Sequence, residues 1–273
     1  MLLLLSPHLD DAVFSLGAYA HQRAGLGEDV LIATVFTASV PEPRDFALAC
    51  QTDKGYGPEV DYMALRRAED EAACAIIGAG VEHWGFAEAP HRGYETAAAL
   101  FEGVREGEEE EGVVGGIAER LREALRQNPT ATVCYPCGAG GHVDHLLVIR
   151  AVEAVRGRGD VLQTTGLQDP TPRPFYQYYD QPYVARHPER YPELASAKTV
   201  GTLTNVTTAP ACLDYGLRAN HHLDAKLRAC AAYASQVGYQ FYAALGEARP
   251  ADADDVQRIG EVLGGREYVV TPT

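Results

Sequence analysis

Several features that would classify a chain at once are missing from this sequence. No apolar run approaches the roughly 20 residues of a membrane span, and residues 1–5 are too short and lack the basic start of a signal peptide. Positive charge is scarce, since 23 Lys and Arg stand against 38 Asp and Glu, a formal net charge of −15 at pH 7. Without a basic patch, the chain is not expected to bind nucleic acid or an anionic membrane. We therefore expect a cytoplasmic protein whose excess acid serves its solubility.

The cysteines and glycines form none of the common cofactor motifs. Six cysteines are scattered along the 273 residues, and a chain of this size needs no disulfides to bury a core. Cys134-x-x-Cys137 could be a redox or zinc pair, but no second pair accompanies it and Cys134 falls within a predicted strand. A free cysteine there packs as a small hydrophobe, so we interpret the pair as mainly structural. No glycine-rich turn follows the first apolar run, which argues against a dinucleotide-binding fingerprint.

Short apolar runs that alternate with helical patterns predict the fold of the first part of the chain. A run of four to eight apolar residues closed by turn residues is typical of a buried strand, and apolar residues at i, i+3, i+4 and i+7 are typical of a helix packed on a sheet. The alternation predicts an α/β protein with a Rossmann-like, mostly parallel sheet flanked by helices. The predicted strands cover residues 1–5, 30–36, 82–86 and 131–135, and the predicted helices cover 11–24, 64–77, 117–127 and 143–155.

The last third of the chain shows a weaker alternation. Neither an internal repeat nor a linker-like composition separates it from the rest. We therefore predict one domain over residues 1–273, whose last third completes the sheet and forms a wall of the site. Strands are predicted there at 160–167, 175–183 and 202–208, and helices at 223–236 and 252–263.

Metal-competent side chains follow two of the predicted strands. His8, Asp10 and Asp11 come directly after the first apolar run, and His142 and His145 follow the strand that ends at residue 135. Ligands of open α/β sheets bind at the carboxyl ends of the strands, so two clusters at equivalent ends suggest one shared site. A catalytic zinc ion takes about three protein ligands, and His8, Asp11 and His145 can supply them.

The two remaining side chains of these clusters suit hydrolysis. Asp10, beside the metal but without a ligand role, could take a proton from water that the ion has acidified. His142, one turn from His145, could donate a hydrogen bond to the oxyanion that forms on attack. Each residue alone has a simpler interpretation, since Asp is a favoured helix N-cap and an isolated His-x-x-His pair is more often structural. The other histidines have no comparable partners in sequence: His21, His83, His91, His187, His221 and His222.

These motifs resemble those of the PIG-L/LmbE-like deacetylases. The resemblance rests on the stretches Ser-Pro-His-Leu-Asp-Asp and Gly-Gly-His-Val-Asp-His, which are specific as a pair. It is supported by Arg66-x-x-Glu69, by Tyr-Tyr-Asp-Gln-Pro-Tyr at 178–183, and by Lys226 and Tyr233-x-Ser-Gln. It implies an LmbE-like fold and a zinc-dependent hydrolase that removes an N-acetyl group from an N-acetylglucosamine-type substrate, giving acetate and a free amine. The implied cofactor is Zn²⁺, with another divalent metal as the alternative.

The resemblance also implies roles residue by residue. It matches the zinc ligands to His8, Asp11 and His145, the general base to Asp10, the oxyanion-stabilising histidine to His142, and substrate contacts to Arg66 and Glu88. The chain departs from the family's common His-Pro-Asp-Asp-Glu motif at Leu9 and Ala12. It also has Gly140 where some members carry a tyrosine that polarises the substrate carbonyl. We interpret these departures as divergence in substrate.

Two other functions stay open at this point. One is a metal amidase that acts on another N-acyl compound, such as a glycopeptide or an antibiotic precursor. The other is a non-catalytic relative that binds a metal or a sugar, against which the retained Asp10 argues, because a binding protein needs no spare base. The expected partner is a small N-acetylated sugar, and the sequence leaves a homo-oligomer open.

Overall fold

The computed structural model describes residues 1–107, 112–157, 174–215, 220–263 and 265–272. Eight strands and ten α-helices occur in these ranges, together with short 3-10 turns. The strands are β1 (Leu2–Ser6), β2 (Val30–Phe36), β3 (Gly80–Phe86), β4 (Thr132–Pro136), β5 (Phe175–Tyr178), β6 (Lys198–Thr199), β7 (Ala211–Asp214) and β8 (Arg266–Val270). The helices are α1 (Asp11–Gly25), α2 (Asp45–Thr52), α3 (Tyr62–Ile77), α4 (Val113–Gln127), α5 (Val143–Gly157), α6 (Tyr183–Arg186), α7 (His221–Ala232), α8 (Val237–Gln240), α9 (Tyr242–Leu245) and α10 (Ala253–Leu263).

All eight strands form one sheet with the topology of a doubly wound α/β protein. The strand order is β3-β2-β1-β4-β5-β8-β7-β6, and every pair among β1 to β5 is parallel. Strand β8 runs antiparallel to both β5 and β7, and the short β6 pairs in parallel with β7. The predicted Rossmann-like, mostly parallel sheet flanked by helices is confirmed.

Both faces of the parallel strands are covered, which explains why these strands are near-continuous apolar runs. In β1, Leu2 and Leu4 pack in a core with α1, α3 and α7, whereas Leu3 and Leu5 pack in a second core with α4 and α5. The chain changes from one face of the sheet to the other between β1 and β4. The crevice at such a switch point is where ligands of doubly wound sheets bind, and both predicted clusters border it.

Helix α1 is broken at Leu16, and a buried ion pair from the C-terminal part of the chain stabilises the start of its second half. Leu16 leaves the helical conformation, with φ −129° and ψ 21°. The carboxylate of Glu267 in β8 accepts hydrogen bonds from the backbone N–H groups of Ala18 and Tyr19, each at 2.8 Å, and Nζ of Lys226 donates to it at 2.7 Å. Glu267 thereby satisfies amides that the break would leave unpaired, as an N-cap does at the start of a helix.

The C-terminal part differs from the sequence-based expectation. Residues 202–208 form a 3-10 turn at Leu203–Asn205 instead of a strand, and the turn buries Leu203 and Val206 in the core. Alternating Thr and apolar residues have strand propensity, but here burial is reached through a turn. The strand predicted at 175–183 ends at Tyr178, and β8 is an additional strand.

Other expectations have different outcomes. The strand predicted at 160–167 lies outside the described residues, and the single domain over 1–273 stays a prediction. Within the described ranges, no helix is both long enough and apolar enough to cross a membrane.

Candidate metal centre and active site

The first cluster lies in the turn between β1 and α1. Ser6 ends β1, and its Oγ accepts a hydrogen bond from the backbone N–H of Ala12 at 3.0 Å, which fixes the first turn of the helix. Asp10 occupies the N-cap position, but its side chain makes no capping hydrogen bond. The carboxylate of Asp11 accepts a hydrogen bond from the backbone N–H of His8 at 2.8 Å. Helix capping therefore does not explain the two carboxylates.

The second cluster is brought to the first by β4 and α5. The ring centroids of His8 and His145 are 5.3 Å apart. Asp11 lies between them, with its Oδ2 3.2 Å from Nδ1 of His8 and 3.1 Å from Nε2 of His145. Two ligand atoms on one tetrahedral zinc ion are roughly 3.3 Å apart, because each lies about 2.0–2.1 Å from the metal. The three side chains that the sequence suggested as ligands therefore converge at separations that suit one ion.

In both His8 and His145, the ring nitrogen that faces away from Asp11 lies within hydrogen-bond distance of a second, buried carboxylate. Nε2 of His8 is 2.9 Å from Oδ2 of Asp144, and Nδ1 of His145 is 2.5 Å from Oδ1 of Asp180. An imidazole that donates one N–H to a carboxylate keeps the lone pair of its other nitrogen for a metal, a common arrangement in metal sites. Nε2 of His145 is buried and forms no hydrogen bond with the described residues, despite its closeness to Asp11. A buried nitrogen that faces a carboxylate without a hydrogen bond fits a metal ligand.

The electrostatics of the cluster favour a positive charge. Burial disfavours a charged imidazole, but hydrogen bonds to Asp11 and Asp144 outweigh burial and raise the pKa of His8 well above its usual value. Asp11 and Asp180 likewise overcome burial and raise the pKa of His145 to about 9. Burial opposes ionisation of Asp11, yet His145 and His8 lower its pKa. A divalent cation can replace the protons that these groups hold in its absence.

Asp10 has the properties of a general base. Its side chain points into the interior, where only 3% of the residue is exposed, and its Oδ2 forms no hydrogen bond with the described residues. Burial, followed by the negative charge of Asp11, raises the pKa of Asp10 to about 7, although Arg66 and His8 act in the opposite direction. A carboxylate with such a pKa can accept and release a proton near neutrality.

His142 is buried beside the two candidate metal-binding histidines, but its surroundings differ from theirs. Burial, followed by the positive charge of His8, lowers the pKa of His142 to about 3, so the ring is neutral at pH 7. Its Nδ1 accepts a hydrogen bond from the backbone N–H of Asp144 at 3.2 Å, which leaves the proton on Nε2. One ring nitrogen each of His8, His142 and His145 lie within 4.8 Å of one another. His142 can therefore present an N–H donor to a molecule bound at the metal site.

Arg66 and Glu88, the two residues expected to contact substrate, form an ion pair with each other beside Asp10. Arg66 is 5% exposed, and its Nε is buried without a hydrogen-bond partner among the described residues. Glu88 also lines a cavity with Met63 and His91. The structure therefore brings both residues to the site, while their contact with substrate stays a prediction.

Sequence reasoning missed the supporting roles of Asp180 and Asp144. Asp180 is fully buried, and besides His145 it accepts hydrogen bonds from two backbone N–H groups of the turn after β4, at 2.9 and 3.0 Å. Asp144, also fully buried, forms an ion pair with Arg92 at 2.8 Å. The only signal in the sequence was that each aspartate stands inside a motif already singled out, Tyr-Tyr-Asp-Gln-Pro-Tyr or His-Val-Asp-His.

The ring of Tyr183 fills the space next to Gly140. Gly140 has a φ of +87°, and a Cβ atom there would lie 2.5 Å from Cδ1 of Tyr183. The same tyrosine ring meets the ring of His145 edge-on, at a centroid distance of 5.6 Å. A tyrosine from α6 therefore borders the site where a side chain at position 140 would otherwise stand.

The cysteine pair packs as the sequence suggested. All six cysteines are free thiols. Cys134 is fully buried in β4, and the thiol of Cys137 donates a hydrogen bond to Asp180 at 3.4 Å. These contacts agree with a structural role and give the pair no place among the converging atoms of His8, Asp11 and His145.

Comparison with known proteins identifies the family. The sequence profile of the PIG-L family, described as GlcNAc-PI de-N-acetylase, matches residues 3–156, more than half of the chain. The chain therefore belongs to the PIG-L family. It is also 36% identical over 162 residues to a 2'-N-acetylparomamine deacetylase of Streptomyces fradiae. That match covers 59% of this chain and 53% of the relative, so it spans about half the length of that protein.

Two solved structures share the fold over almost their whole length. The zinc-inhibited form of a teicoplanin deacetylase has a TM-score of 0.69 at 23% identity, with 99% of this chain and 98% of that chain covered. A deacetylase of the A40926 pseudoaglycone has a TM-score of 0.65 at 23% identity, with 99% of this chain and 96% of that chain covered. At these identities, the likeness establishes the architecture described above.

Proposed function

We propose that this protein is a metal-dependent N-deacetylase that hydrolyses an N-acetylated aminosugar to acetate and a free amine. The observation that carries the proposal is the buried carboxylate of Asp10, whose Oδ2 has no hydrogen-bond partner among the described residues and which stands next to the converging atoms of His8, Asp11 and His145. Family membership and the activity of the paromamine relative support the same reaction.

The metal would be held by Nδ1 of His8, Oδ2 of Asp11 and Nε2 of His145. This mixture of imidazole nitrogens and a carboxylate oxygen suits zinc, and three protein ligands leave a coordination position open. When bound there, zinc lowers the pKa of water and polarises a carbonyl group. Another divalent metal of similar preference can occupy such a donor set, so zinc itself is part of the proposal.

The side chains around the metal divide the proton transfers between them. Asp10 accepts a proton from the attacking water and later returns it to the nitrogen of the leaving amine. Nε2–H of His142 donates a hydrogen bond to the carbonyl oxygen as negative charge develops on it. Arg66 and Glu88 border the same space from α3 and from the segment after β3, where they can contact the hydroxyl groups of a sugar. Both donors and acceptors that sugar recognition needs are thus present.

The test is acetate release by the protein with and without metal. Protein stripped by a chelator should be inactive toward N-acetylglucosamine and N-acetylated paromamine, and one equivalent of zinc should restore activity. His145→Ala should abolish both metal binding and activity, whereas Cys137→Ser, which changes a neighbour of Asp180 outside the metal-binding atoms, should keep both. A metal-loaded wild type that releases no acetate from any N-acetylated aminosugar would overturn the proposal.

A further inference from the structure

One large apolar side chain is exposed at the mouth of the site. Phe101 is 47% exposed, and its ring lies 5.4 Å from that of His142 and 6.1 Å from that of Tyr183, both nearly edge-on. Among the described residues, the other large exposed hydrophobics are Leu26, Tyr242 and Val262. A single exposed phenylalanine is common on protein surfaces, so its position beside a candidate oxyanion donor is the informative feature.

The segment that carries Phe101 is anchored so that the phenyl ring stays outside. Phe101 ends a 3-10 turn, Ala99–Phe101, in which Ala99 and Leu100 pack against a small core around Tyr94. The hydroxyl of Tyr94 also accepts a hydrogen bond from the backbone N–H of Arg105 at 3.0 Å, which ties down the chain just beyond the turn. Ala99 and Leu100, just before Phe101, are therefore partly buried, and the chain just beyond it is hydrogen-bonded, while the phenyl ring itself covers no core.

We infer that Phe101 is a binding platform for the ring attached to the acetylated sugar, and that this ring belongs to a cationic aminocyclitol or aminosugar. The inference rests on the proposed deacetylase function and adds a subsite to it. An aromatic face carries partial negative charge, so it attracts the C–H groups of a saturated ring and, more strongly, an ammonium group. The formal net charge of −15 also favours the approach of a cationic substrate.

The surroundings of Phe101 argue against a lipid chain at this position. A fatty acyl chain needs a continuous apolar groove, whereas the rings nearest to Phe101 belong to His142 and Tyr183, which both carry polar atoms. Beyond Tyr183 lies the guanidinium of Arg186, 5.5 Å from the centre of the tyrosine ring and 5.0 Å from that of Tyr242. A single phenyl face with polar neighbours matches one saturated, polyhydroxylated ring.

The first experiment compares three substrates with the metal-loaded enzyme and its variants. The substrates are N-acetylglucosamine, the neutral two-ring N,N'-diacetylchitobiose and the cationic two-ring N-acetylated paromamine. Phe101→Ala should raise KM for N-acetylated paromamine by about 3- to 30-fold, the range of one cation–π contact, and should raise it less for the chitobiose. Activity on N-acetylglucosamine should change less than about 2-fold, since the inference places the attached ring, and not the acetylated sugar, on Phe101.

Conservative variants distinguish the effect of the aromatic face from the effect of side-chain size. Phe101→Tyr should restore the KM for N-acetylated paromamine, whereas Phe101→Leu, which is apolar but has no π face, should resemble Phe101→Ala. Leu26→Ala changes an exposed leucine that takes no part in the candidate site, and it serves as the control. It should leave the KM of all three substrates unchanged. Equal losses on all three substrates, or a leucine variant that behaves like the wild type, would overturn the inference.

A binding measurement keeps this inference separate from the proposed reaction. Titration calorimetry of paromamine and of glucosamine needs no turnover, so it reports on the platform even if the wild type releases no acetate. Paromamine should bind the wild type more tightly than the Phe101→Ala protein by the same factor of about 3- to 30-fold, and glucosamine should bind both alike. Equal binding of paromamine to both proteins would refute the platform, whereas absent acetate release with intact paromamine binding would refute only the deacetylase function.

Discussion

Replacing Asp10 by asparagine should abolish activity and at the same time stabilise the metal-free protein. The substitution keeps the shape of the side chain and removes its charge and its ability to take a proton. Loss of a positioned general base costs on the order of 100- to 10,000-fold in kcat. Metal content should stay near one ion per chain, because Asp10 is not among the converging atoms of His8, Asp11 and His145.

The expected gain in stability follows from the burial of Asp10. Burial and the charge of Asp11 raise the pKa of Asp10 from 3.8 to about 7, so the folded protein binds its proton more tightly than the unfolded chain does. The cost of ionising this buried carboxylate is therefore absent below about pH 3.8, grows as the pH rises toward 7, and is fully present above about pH 7. At pH 8 this cost is on the order of 2–4 kcal/mol, and an asparagine avoids it. Allowing for imperfect hydrogen bonding of the amide, we expect a gain of about 1–3 kcal/mol.

The matched control is Asp11→Asn, which should behave in the opposite way. His145 and His8 lower the pKa of Asp11, so its charge stabilises the folded metal-free protein and the asparagine should destabilise it at pH 8. The Asp11→Asn protein should also bind its metal less tightly, because one of the three proposed ligands is weakened. Urea unfolding at pH 8, elemental analysis and acetate release report the three quantities for each variant. Equal metal loss in both variants, or an Asp10→Asn protein that deacetylates at the wild-type rate, would refute the assignment of the two carboxylates.

Three further changes test the supporting structure. Asp180→Asn should weaken metal binding by about 10- to 100-fold in a chelator competition, since the histidine that it orients loses its carboxylate; unchanged affinity would contradict this. Lys226→Met should lower the free energy of unfolding in urea by about 3–5 kcal/mol, because it leaves the buried charge of Glu267 without a partner. A loss below about 1 kcal/mol, which is typical of a surface ion pair, would contradict this prediction. Gly140→Ala should destabilise by about 1–3 kcal/mol through strain at φ +87° and a clash with Tyr183, and Tyr183→Ala should relieve the clash part of that loss.

The parts of the fold that could be predicted from the sequence are those whose signal is local. The strands at 30–36 and 131–135 are short apolar runs because both faces of the parallel sheet are covered, and the helices between them show the expected periodicity. The position of the site followed from topology, since the clusters after β1 and β4 had to meet at the switch point. The antiparallel edge was not predictable in this way, because β6 has only two residues and β7 only four.

The candidate site could be predicted from the sequence only where its residues stand in short motifs. His8, Asp11 and His145 stand in two short stretches, whereas the carboxylate that orients His145 comes from a turn 35 residues later in the chain. Glu267 lies still farther from the helix that it restarts. A buried acid leaves no periodic pattern in a sequence, so its partner becomes visible only when the fold brings the two together.

These distant acids have a common physical consequence for the proposed metal site. Each histidine of the proposed metal site can bind an ion with one nitrogen only if the other nitrogen keeps its proton, and Asp144 and Asp180 enforce that state from positions where neither is exposed. His142 has no such carboxylate on its Nδ1, which accepts a backbone N–H instead. The three neighbouring imidazoles are thus differentiated by their hydrogen-bond partners. In the proposed function, two of them hold the metal, and the third donates a hydrogen bond from its protonated nitrogen to the substrate.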